Sequence, residues 1–297
     1  MPHSNKKFFY HLLAIATAGI WGTTFVATKT LLLAGLTPAE IFIYRFSLAY
    51  LCIIFIAGRQ VFAKSWLDEI KMIAAGLTGG SVYFTTENTA LEFTQASNVG
   101  ILISITPLLT TLLGMAIYKS ERTKRPWRIV AGSSIALIGV AAIVLNGNTE
   151  MHFNLKGDLL TLAAALSWAF YSLIVKNLSR RYPVAFISRK VFGYGLLSMV
   201  VWMPFSHPAS FHLSALSDLD VLLNLLFLGV IASMGCYTVW NVVVRKIGMV
   251  KATNYINLNP IVTFIAAFLI LDERITTVAL IGSAAVIFGV CLAEKSK

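Results

Sequence analysis

Glu87 is the residue of this sequence best placed to do chemistry, because it is an acidic side chain inside a long apolar stretch. Gly76, Gly80, Tyr83 and Glu87 are spaced by 4, 3 and 4 residues, which places them on one face of a helix. A carboxylate in such a helix is costly unless it faces protein or water. We interpret Glu87 as a site for a proton or an amine. The alternative is a structural carboxylate that is hydrogen-bonded to neighbouring Asn or Thr side chains.

Two later apolar stretches also carry polar and aromatic side chains. They are Tyr237, Trp240 and Asn241 in the first stretch, and Asn254, Asn257 and Asn259 around Tyr255 in the second. Amides inside apolar helices are costly unless they are paired. They could give neutral hydrogen bonds to a ligand, or they could join neighbouring helices.

Aromatic residues and prolines complete the candidate site. Trp21 and Trp168 could wall a cavity and stack on a ligand, and Tyr171 stands one helical turn beyond Trp168. Packing is the alternative role for these rings. Pro107 and Pro260 are predicted hinges, because proline removes a backbone hydrogen bond and tends to kink a helix. The predicted ligand-binding residues are Trp21, Tyr83, Glu87, Asn88, Trp168, Tyr171, Tyr237, Trp240, Asn241, Asn254 and Asn257.

Three further charged positions have more than one interpretation. Arg45 lies about seven residues, or roughly 10 Å, inside its apolar stretch. We expect its long side chain to reach the nearer membrane surface, with anion binding or gating as the alternative. Glu121-Arg122 and Glu273-Arg274 fall at helix ends. They are predicted to be caps and local ion pairs, with a gating salt bridge as the alternative.

Long apolar helices must position these residues. The chain is 57% hydrophobic and 12% charged, whereas soluble domains average about 25% charged residues. Apolar stretches of about 18–23 residues are long enough to cross a bilayer. The predicted stretches are 9–33, 38–58, 70–92, 96–118, 128–145, 158–178, 184–204, 219–243, 252–271 and 275–293. The sequence therefore predicts an all-α membrane protein with ten transmembrane helices and no separate soluble domain.

The two halves of the chain repeat each other. The matched pairs include Trp21 with Trp168, Lys29 with Lys176, Asn88 with Asn241, Pro107 with Pro260, and Gly132 with Gly282. The predicted repeats span 9–145 and 158–294. Five helices is an odd number, so the second repeat must start from the opposite side of the membrane, which gives an inverted repeat.

Basic residues predict the orientation of the chain. Of the 24 Lys and Arg residues, 18 lie in or beside loops on one side of the predicted membrane. The positive-inside rule then places both termini in the cytoplasm. We expect the protein in the cytoplasmic (inner) membrane. The net charge of +11 is mainly this topology signal. The basic residues are divided among many short loops, so nucleic acid is not a predicted partner.

Several kinds of active site lack their sequence patterns. The chain has no G-x-x-x-x-G-K-[ST] phosphate loop and no H-E-x-x-H pair, and its five histidines show no metal-ligand grouping. No cofactor, metal or catalytic residue is predicted. A secondary transporter is favoured over an intramembrane enzyme, which should show clustered His, Asp or Cys in its helices, and over a receptor, which would rarely need an inverted duplication.

The duplicated unit resembles the EamA-type branch of the drug/metabolite transporter superfamily. The features that carry the resemblance are a fourth helix that contains a proline and leads to Glu-Arg, and a Gly-rich fifth helix. The resemblance covers about 9–294. It implies a central cavity lined by the first, third and fourth helices of each unit. It also implies export of a small organic metabolite by alternating access, with an amino acid favoured and a drug or amphipathic amine as the alternative. Protons are a candidate coupling ion, with Glu87 as their site, and the bilayer is the other partner. The oligomeric state is left open, because the Gly-rich helices could pack within one chain or between chains.

Overall fold

The computed structural model describes residues 2–118, 126–145, 154–206, 212–273 and 276–294, and these ranges contain helices and no β-strand. The α-helices are α1 (Pro2–Leu33), α2 (Pro38–Ile54), α3 (Trp66–Gly76), α4 (Val82–Phe93), α5 (Ala96–Ile103), α6 (Thr106–Ile117), α7 (Pro126–Leu145), α8 (Leu155–Leu178), α9 (Val184–Ser206), α10 (Leu219–Leu226), α11 (Cys236–Ile247), α12 (Met249–Thr253), α13 (Asn259–Leu271) and α14 (Thr277–Glu294). Two π-helical segments, Leu77–Ser81 and Phe227–Gly235, join α3 to α4 and α10 to α11. Leu213–Ser217 and Asn254–Leu258 are 3₁₀-helical.

The all-helical prediction is confirmed, since helix occupies each of the predicted apolar stretches. Within the described residues, six helical runs are long and apolar enough to cross a bilayer. They are Phe8–Leu33, Ala96–Ile117, Leu155–Leu178, Val184–Val201, Leu219–Ile247 and Lys251–Leu271. Val130–Ala142 and Thr277–Leu292 are shorter apolar helices. Ten transmembrane helices in two inverted repeats therefore stay a prediction.

Local sequence explains where several helices begin. At the start of α2, the Thr37 hydroxyl accepts a hydrogen bond from the Glu40 backbone N–H, and the Glu40 carboxylate accepts one from the Thr37 N–H. This reciprocal pair satisfies two donors that a helix start leaves free. Ser65 and Asp218 cap α3 and α10 in the same way with their side-chain oxygens.

The two π-helical segments start 150 residues apart, at matching places in the two halves. Backbone carbonyls in both segments accept hydrogen bonds from side chains of other helices. Ser167 donates to the Thr78 carbonyl (2.7 Å), Trp21 donates to the Ala232 carbonyl (3.0 Å), and the Tyr237 hydroxyl donates to the Gly79 carbonyl. Buried carbonyls need partners, so these contacts make the irregular backbone tolerable in an apolar interior.

Both predicted hinge prolines stand in the first turn of a new helix that follows an interruption. Pro107 begins α6 after the break at Ser104, whose hydroxyl donates to the Ile101 carbonyl. Pro260 is the second residue of α13, which follows the 3₁₀ segment. Proline fits this position because the N–H that it lacks would have no partner there. Their action as hinges stays a prediction.

The Gly-rich helices α7 and α14 pack against each other within the chain. A Cβ atom added at Gly139 would lie 2.7 Å from the Gly282 carbonyl oxygen, and one added at Gly289 would lie 2.5 Å from the Gly132 carbonyl oxygen. Any side chain at these positions would clash with backbone. The glycines therefore allow two helices to approach as closely as small residues permit in membrane proteins.

Candidate functional site

A buried cavity of about 30 Å³ lies between the two halves of the chain. Helices α1, α2, α4, α5 and α6 line it from the first half, and α8, α11, the 3₁₀ segment and α13 line it from the second. Five of the predicted ligand-binding residues are in the lining: Trp21, Tyr83, Glu87, Trp168 and Tyr237. The structure therefore brings predicted residues of both halves together at one cavity.

Six of the thirteen residues of the wall are aromatic, and several of their rings pack edge to face. The Trp168 ring lies 5.2 Å from Trp21 at an interplanar angle of 83°, and 5.3 Å from Tyr237 at 79°. Tyr83 approaches Trp168 to 5.0 Å. Such pairs stabilise each other beyond the area that they bury, by about 0.5–1.5 kcal/mol each. The wall is therefore a cluster of rings whose orientations depend on one another.

Trp240, Tyr171 and Asn241 stand behind this wall. Trp240 packs on Trp21 with ring centroids 4.9 Å apart, and Tyr171 packs on Trp168 at the same distance. The Tyr171 hydroxyl donates to Asn241 Oδ1 (3.1 Å), and the Asn241 amide donates to Ser188 (3.2 Å). The polar groups of Tyr171 and Asn241 thus bond to protein, which favours a supporting role for both residues.

Glu87 is almost fully buried, with 1% of its surface exposed, and its carboxylate lines the cavity. The Tyr83 hydroxyl and the Arg45 guanidinium both interact with this carboxylate. Neither oxygen, however, receives a well-aligned hydrogen bond from any residue that the structure describes. A buried carboxylate with such open acceptor positions is costly. Glu87 is therefore available to a proton or to a ligand.

Arg45 also lines the cavity, and the prediction that it reaches the membrane surface is wrong. It is only 1% exposed. Its Nε donates to the Ser233 hydroxyl (2.6 Å), and its guanidinium carbon lies 4.2 Å from the centroid of the Phe84 ring. The charged hydrogen bond, the cation–π contact and the charge of Glu87 offset the cost of burial. The sequence signal that could have indicated a buried role for Arg45 is the repeated Phe-Ile-x-Arg sequence. This repeat places Arg189 at the matching position of the second half.

The remaining predicted amides lie outside the lining. Asn88 is buried and donates to the Pro38 carbonyl (3.1 Å), which ties α4 to the start of α2. Asn254 and Asn257 belong to the 3₁₀ segment, where residues three apart share a face. Asn259 begins α13 and lines the cavity instead, and its Oδ1 atom has no hydrogen-bond partner among the described residues. The sequence grouped Asn259 with Asn254 and Asn257 as amides that could bind a ligand, but the final list of predicted ligand-binding residues left Asn259 out.

A second polar cluster lies at the end of the molecule that the positive-inside rule assigns to the outside. Glu273, just after α13, accepts hydrogen bonds from the Ala96 N–H (2.9 Å), the Ser97 N–H (3.0 Å) and the Ser97 hydroxyl (2.6 Å). Lys29 interacts electrostatically with Glu273 and donates to the Leu91 carbonyl (2.5 Å). The prediction of a cap at Glu273 is confirmed, and the capped helix, α5, belongs to the other half of the chain. Glu121, Arg122 and Arg274 lie outside the described residues.

A third cluster lies at the opposite end. Asp68 accepts hydrogen bonds from Arg181 Nη1 (3.1 Å) and from the Tyr182 hydroxyl (2.9 Å). Burial alone would raise the pKa of Asp68, but the bonds from Tyr182 and Arg181 outweigh it and hold that pKa below its ordinary value. Glu69 accepts hydrogen bonds from Lys190 and Tyr194 of α9. These contacts join the start of α3 to the loop before α9 and to α9 itself.

Comparison with known proteins agrees with a repeated transporter fold. The sequence profile of the EamA-like transporter family matches residues 8–145 and 155–294. An uncharacterized transporter of Archaeoglobus fulgidus is 28% identical over 95% of this chain and 96% of its own. A probable terminal-alkyne amino-acid exporter of Streptantibioticus cattleyicolor is 27% identical, over 95% and 92%. A probable amino-acid metabolite efflux pump of Salmonella typhimurium is also 27% identical, over 96% and 94%.

A solved crystal structure of another protein has the same fold. It superimposes with a TM-score of 0.69 over 97% of both chains at 18% identity. The matches to the family profile together cover nearly the whole chain, including every residue of the cavity wall. This protein is therefore a multi-pass membrane protein and a member of the EamA-like transporter family.

Proposed function

We propose that this protein is a secondary transporter that exports a small amino-acid-like metabolite across the cytoplasmic membrane. The observation that carries the proposal is the buried cavity between the two halves, with its aromatic wall and its charged pair Arg45 and Glu87. A mostly apolar pocket with a few converging polar groups is the usual form of a small-molecule site. The printed names of two relatives, an amino-acid exporter and an amino-acid metabolite efflux pump, support the same substrate class.

The cavity volume supports transport by alternating access. A cavity of about 30 Å³ holds about two water molecules, and pockets for drug-sized ligands are about 300–1,000 Å³. The helices around it must therefore separate before a substrate can enter. In our proposal, ten transmembrane helices in two inverted repeats, with both termini in the cytoplasm, open the cavity to one side and then to the other.

Glu87 supplies the proposed proton coupling. Its carboxylate has open acceptor positions in a cavity that a substrate ammonium would share, so a proton and a substrate would compete for it. Glu87→Gln keeps the size of the side chain and removes its titration. Flux into liposomes should depend on external pH for the natural protein and become independent of pH in the variant. Identical pH profiles would reject Glu87 as the proton site.

Solute flux in reconstituted liposomes tests the function itself. The purified protein should move radiolabelled L-leucine down its gradient, and Trp168→Ala should reduce that flux at least tenfold at equal protein abundance, since Trp168 contacts three other rings of the wall. Trp66→Ala is the matched control, because Trp66 is 74% exposed at the start of α3. The absence of flux for every amino acid tried would overturn the proposed function.

A further inference from the structure

Arg45 and Glu87 form a two-point site of opposite charge, and both retain polar atoms without hydrogen-bond partners among the described residues. We propose that Arg45 binds the carboxylate of the substrate and Glu87 binds its ammonium group, so that the protein selects zwitterionic α-amino acids with apolar side chains. This inference rests on the proposed function. It differs from a plain amine site, which would use Glu87 alone.

The surroundings of Arg45 hold its guanidinium in one position. Nε donates to the Ser233 hydroxyl of a π-helical segment, and the guanidinium carbon lies 4.2 Å from the centroid of the Phe84 ring. Nη1 is left without a partner in a residue that lines the cavity. A guanidinium held in this way binds a carboxylate well, because its planar donors match the two oxygens. The indole Nε1 of Trp168, also in the lining and also unpartnered, is a second donor for the same group.

Glu87 is suited to the ammonium end of the same molecule. Neither of its oxygens receives a well-aligned hydrogen bond from the described residues, and the Tyr83 hydroxyl interacts with the carboxylate from the same helix. Ring faces attract cations, so the aromatic wall adds to the attraction of the carboxylate. The rest of the lining, which includes the rings of Trp21 and Tyr237, is mainly apolar and suits the hydrocarbon side chain of the substrate.

Charge balance decides between substrate classes. Among the thirteen residues of the lining, Arg45 carries the only basic group and Glu87 the only carboxyl group, and their charges cancel when both are ionised. A zwitterion keeps the buried cavity neutral and pairs both charges. An amine without a carboxylate would leave a net positive charge, and an acid without an amine would leave a net negative charge. Unpaired buried charge is strongly unfavourable, so both analogues should bind much more weakly.

Three matched probes test this inference: L-leucine, isoamylamine, which lacks its carboxylate, and isocaproate, which lacks its amine. Each competes with radiolabelled L-leucine for flux in liposomes. In the natural protein, leucine should compete at least tenfold better than either analogue. In Arg45→Gln the advantage of leucine over isoamylamine should fall at least tenfold, because the carboxylate no longer has its partner.

Two further variants separate recognition from folding. The double variant Arg45→Gln, Glu87→Gln has a neutral cavity with no unpaired charge. It should fold as the natural protein does and show no preference among the three probes. Arg189→Gln removes the arginine at the matching position of the second half, where it donates to the Gly58 carbonyl (2.9 Å) away from the cavity. This control should keep the preference for leucine.

The outcomes distinguish the two proposals. Two results would overturn two-point recognition and leave the export of amino acids standing. One is equal competition by leucine and isoamylamine in the natural protein. The other is an unchanged preference for leucine over isoamylamine in both Arg45 variants. Failure of leucine to move at all overturns the proposed function.

Discussion

Replacing Glu273 with Gln should shift the protein towards a state open at the predicted outer side. The Glu273 carboxylate receives three hydrogen bonds from the first residues of α5, and it joins the end of α13 in one half to the start of α5 in the other. In the proposed alternating access, these helix ends separate when the outer side opens. We therefore expect the contact to stabilise the state closed at the outer side and not the open one.

The size of the shift follows from these contacts. Glutamine keeps one acceptor oxygen, but its NH₂ group faces one of the two backbone N–H groups that Glu273 accepts from. At least one hydrogen bond to a charged group is therefore lost, which costs the closed state about 1.5–3 kcal/mol. Loss of the negative charge at the N-terminus of α5 adds about 0.3–1 kcal/mol. A total of about 2–4 kcal/mol changes the ratio of open to closed protein by at least about thirtyfold, since each 1.4 kcal/mol is a factor of ten.

Cysteine labelling measures that ratio. In a background without Cys52, Cys236 and Cys291, a cysteine at Thr106 in the cavity lining would react with a membrane-impermeant maleimide from outside only when the outer side is open. Glu273→Gln should raise the labelling rate by about thirtyfold or more.

Asp220→Asn is the control for this experiment. It makes the same acid-to-amide change at the exposed start of α10, which is predicted to lie on the same side of the membrane. A folded Glu273→Gln variant that labels no faster than Asp220→Asn would refute the assignment of this contact to gating.

Three further outcomes are expected. Gly139→Ala should lower the free energy of unfolding by about 1–3 kcal/mol, because the new Cβ would lie 2.7 Å from a carbonyl oxygen of α14. Gly19→Ala, whose new Cβ would have no atom within 4 Å, should leave the free energy of unfolding unchanged. Equal thermal unfolding curves for the two variants would contradict the close packing. Asp68→Asn should be less stable than the natural protein at pH values above the ordinary pKa of aspartate, about 3.9. The difference in stability should shrink as the pH falls through the lowered pKa of Asp68 in the folded protein. Unfolding temperatures of both proteins across this pH range test the expectation. Cysteines at the exposed positions Arg180 and Ser214 should react with an impermeant reagent from the cytoplasmic and the outer side respectively, and labelling of both from one side would exclude the inverted topology.

Composition and spacing within the sequence were enough to predict the helices, whereas the central cavity was an implication of the family resemblance. Trp21 and Trp168 occupy matching positions of the two halves, and both lie in the cavity wall. Glu87 stood out because an acidic residue in an apolar helix needs a specific surrounding. These are local or repeat-based signals, and they need no knowledge of the three-dimensional contacts.

The polar lining could not be predicted in the same way. The burial of Arg45 depends on Ser233, which lies 188 residues away in the chain, and on the direction in which α2 presents its side chain to Phe84. A mid-helix arginine looks the same in sequence whether it reaches a membrane surface or a cavity. Asn259, and not Asn257, lies in the lining, and the 3₁₀ segment Asn254–Leu258 that changes the helical register just before it has no signal in the sequence.

The opposite charges of Arg45 and Glu87 also determine how membrane voltage acts on transport. An empty cavity with this pair carries no net charge, and a bound zwitterion adds none, so a cycle without protons is electrically silent. Each elementary charge that does cross gains or loses about 2.3 kcal/mol per 100 mV. A proton carried on Glu87 during the return step would therefore be the only net charge that the cavity moves. The membrane potential at which net flux reverses would then report the number of protons per cycle.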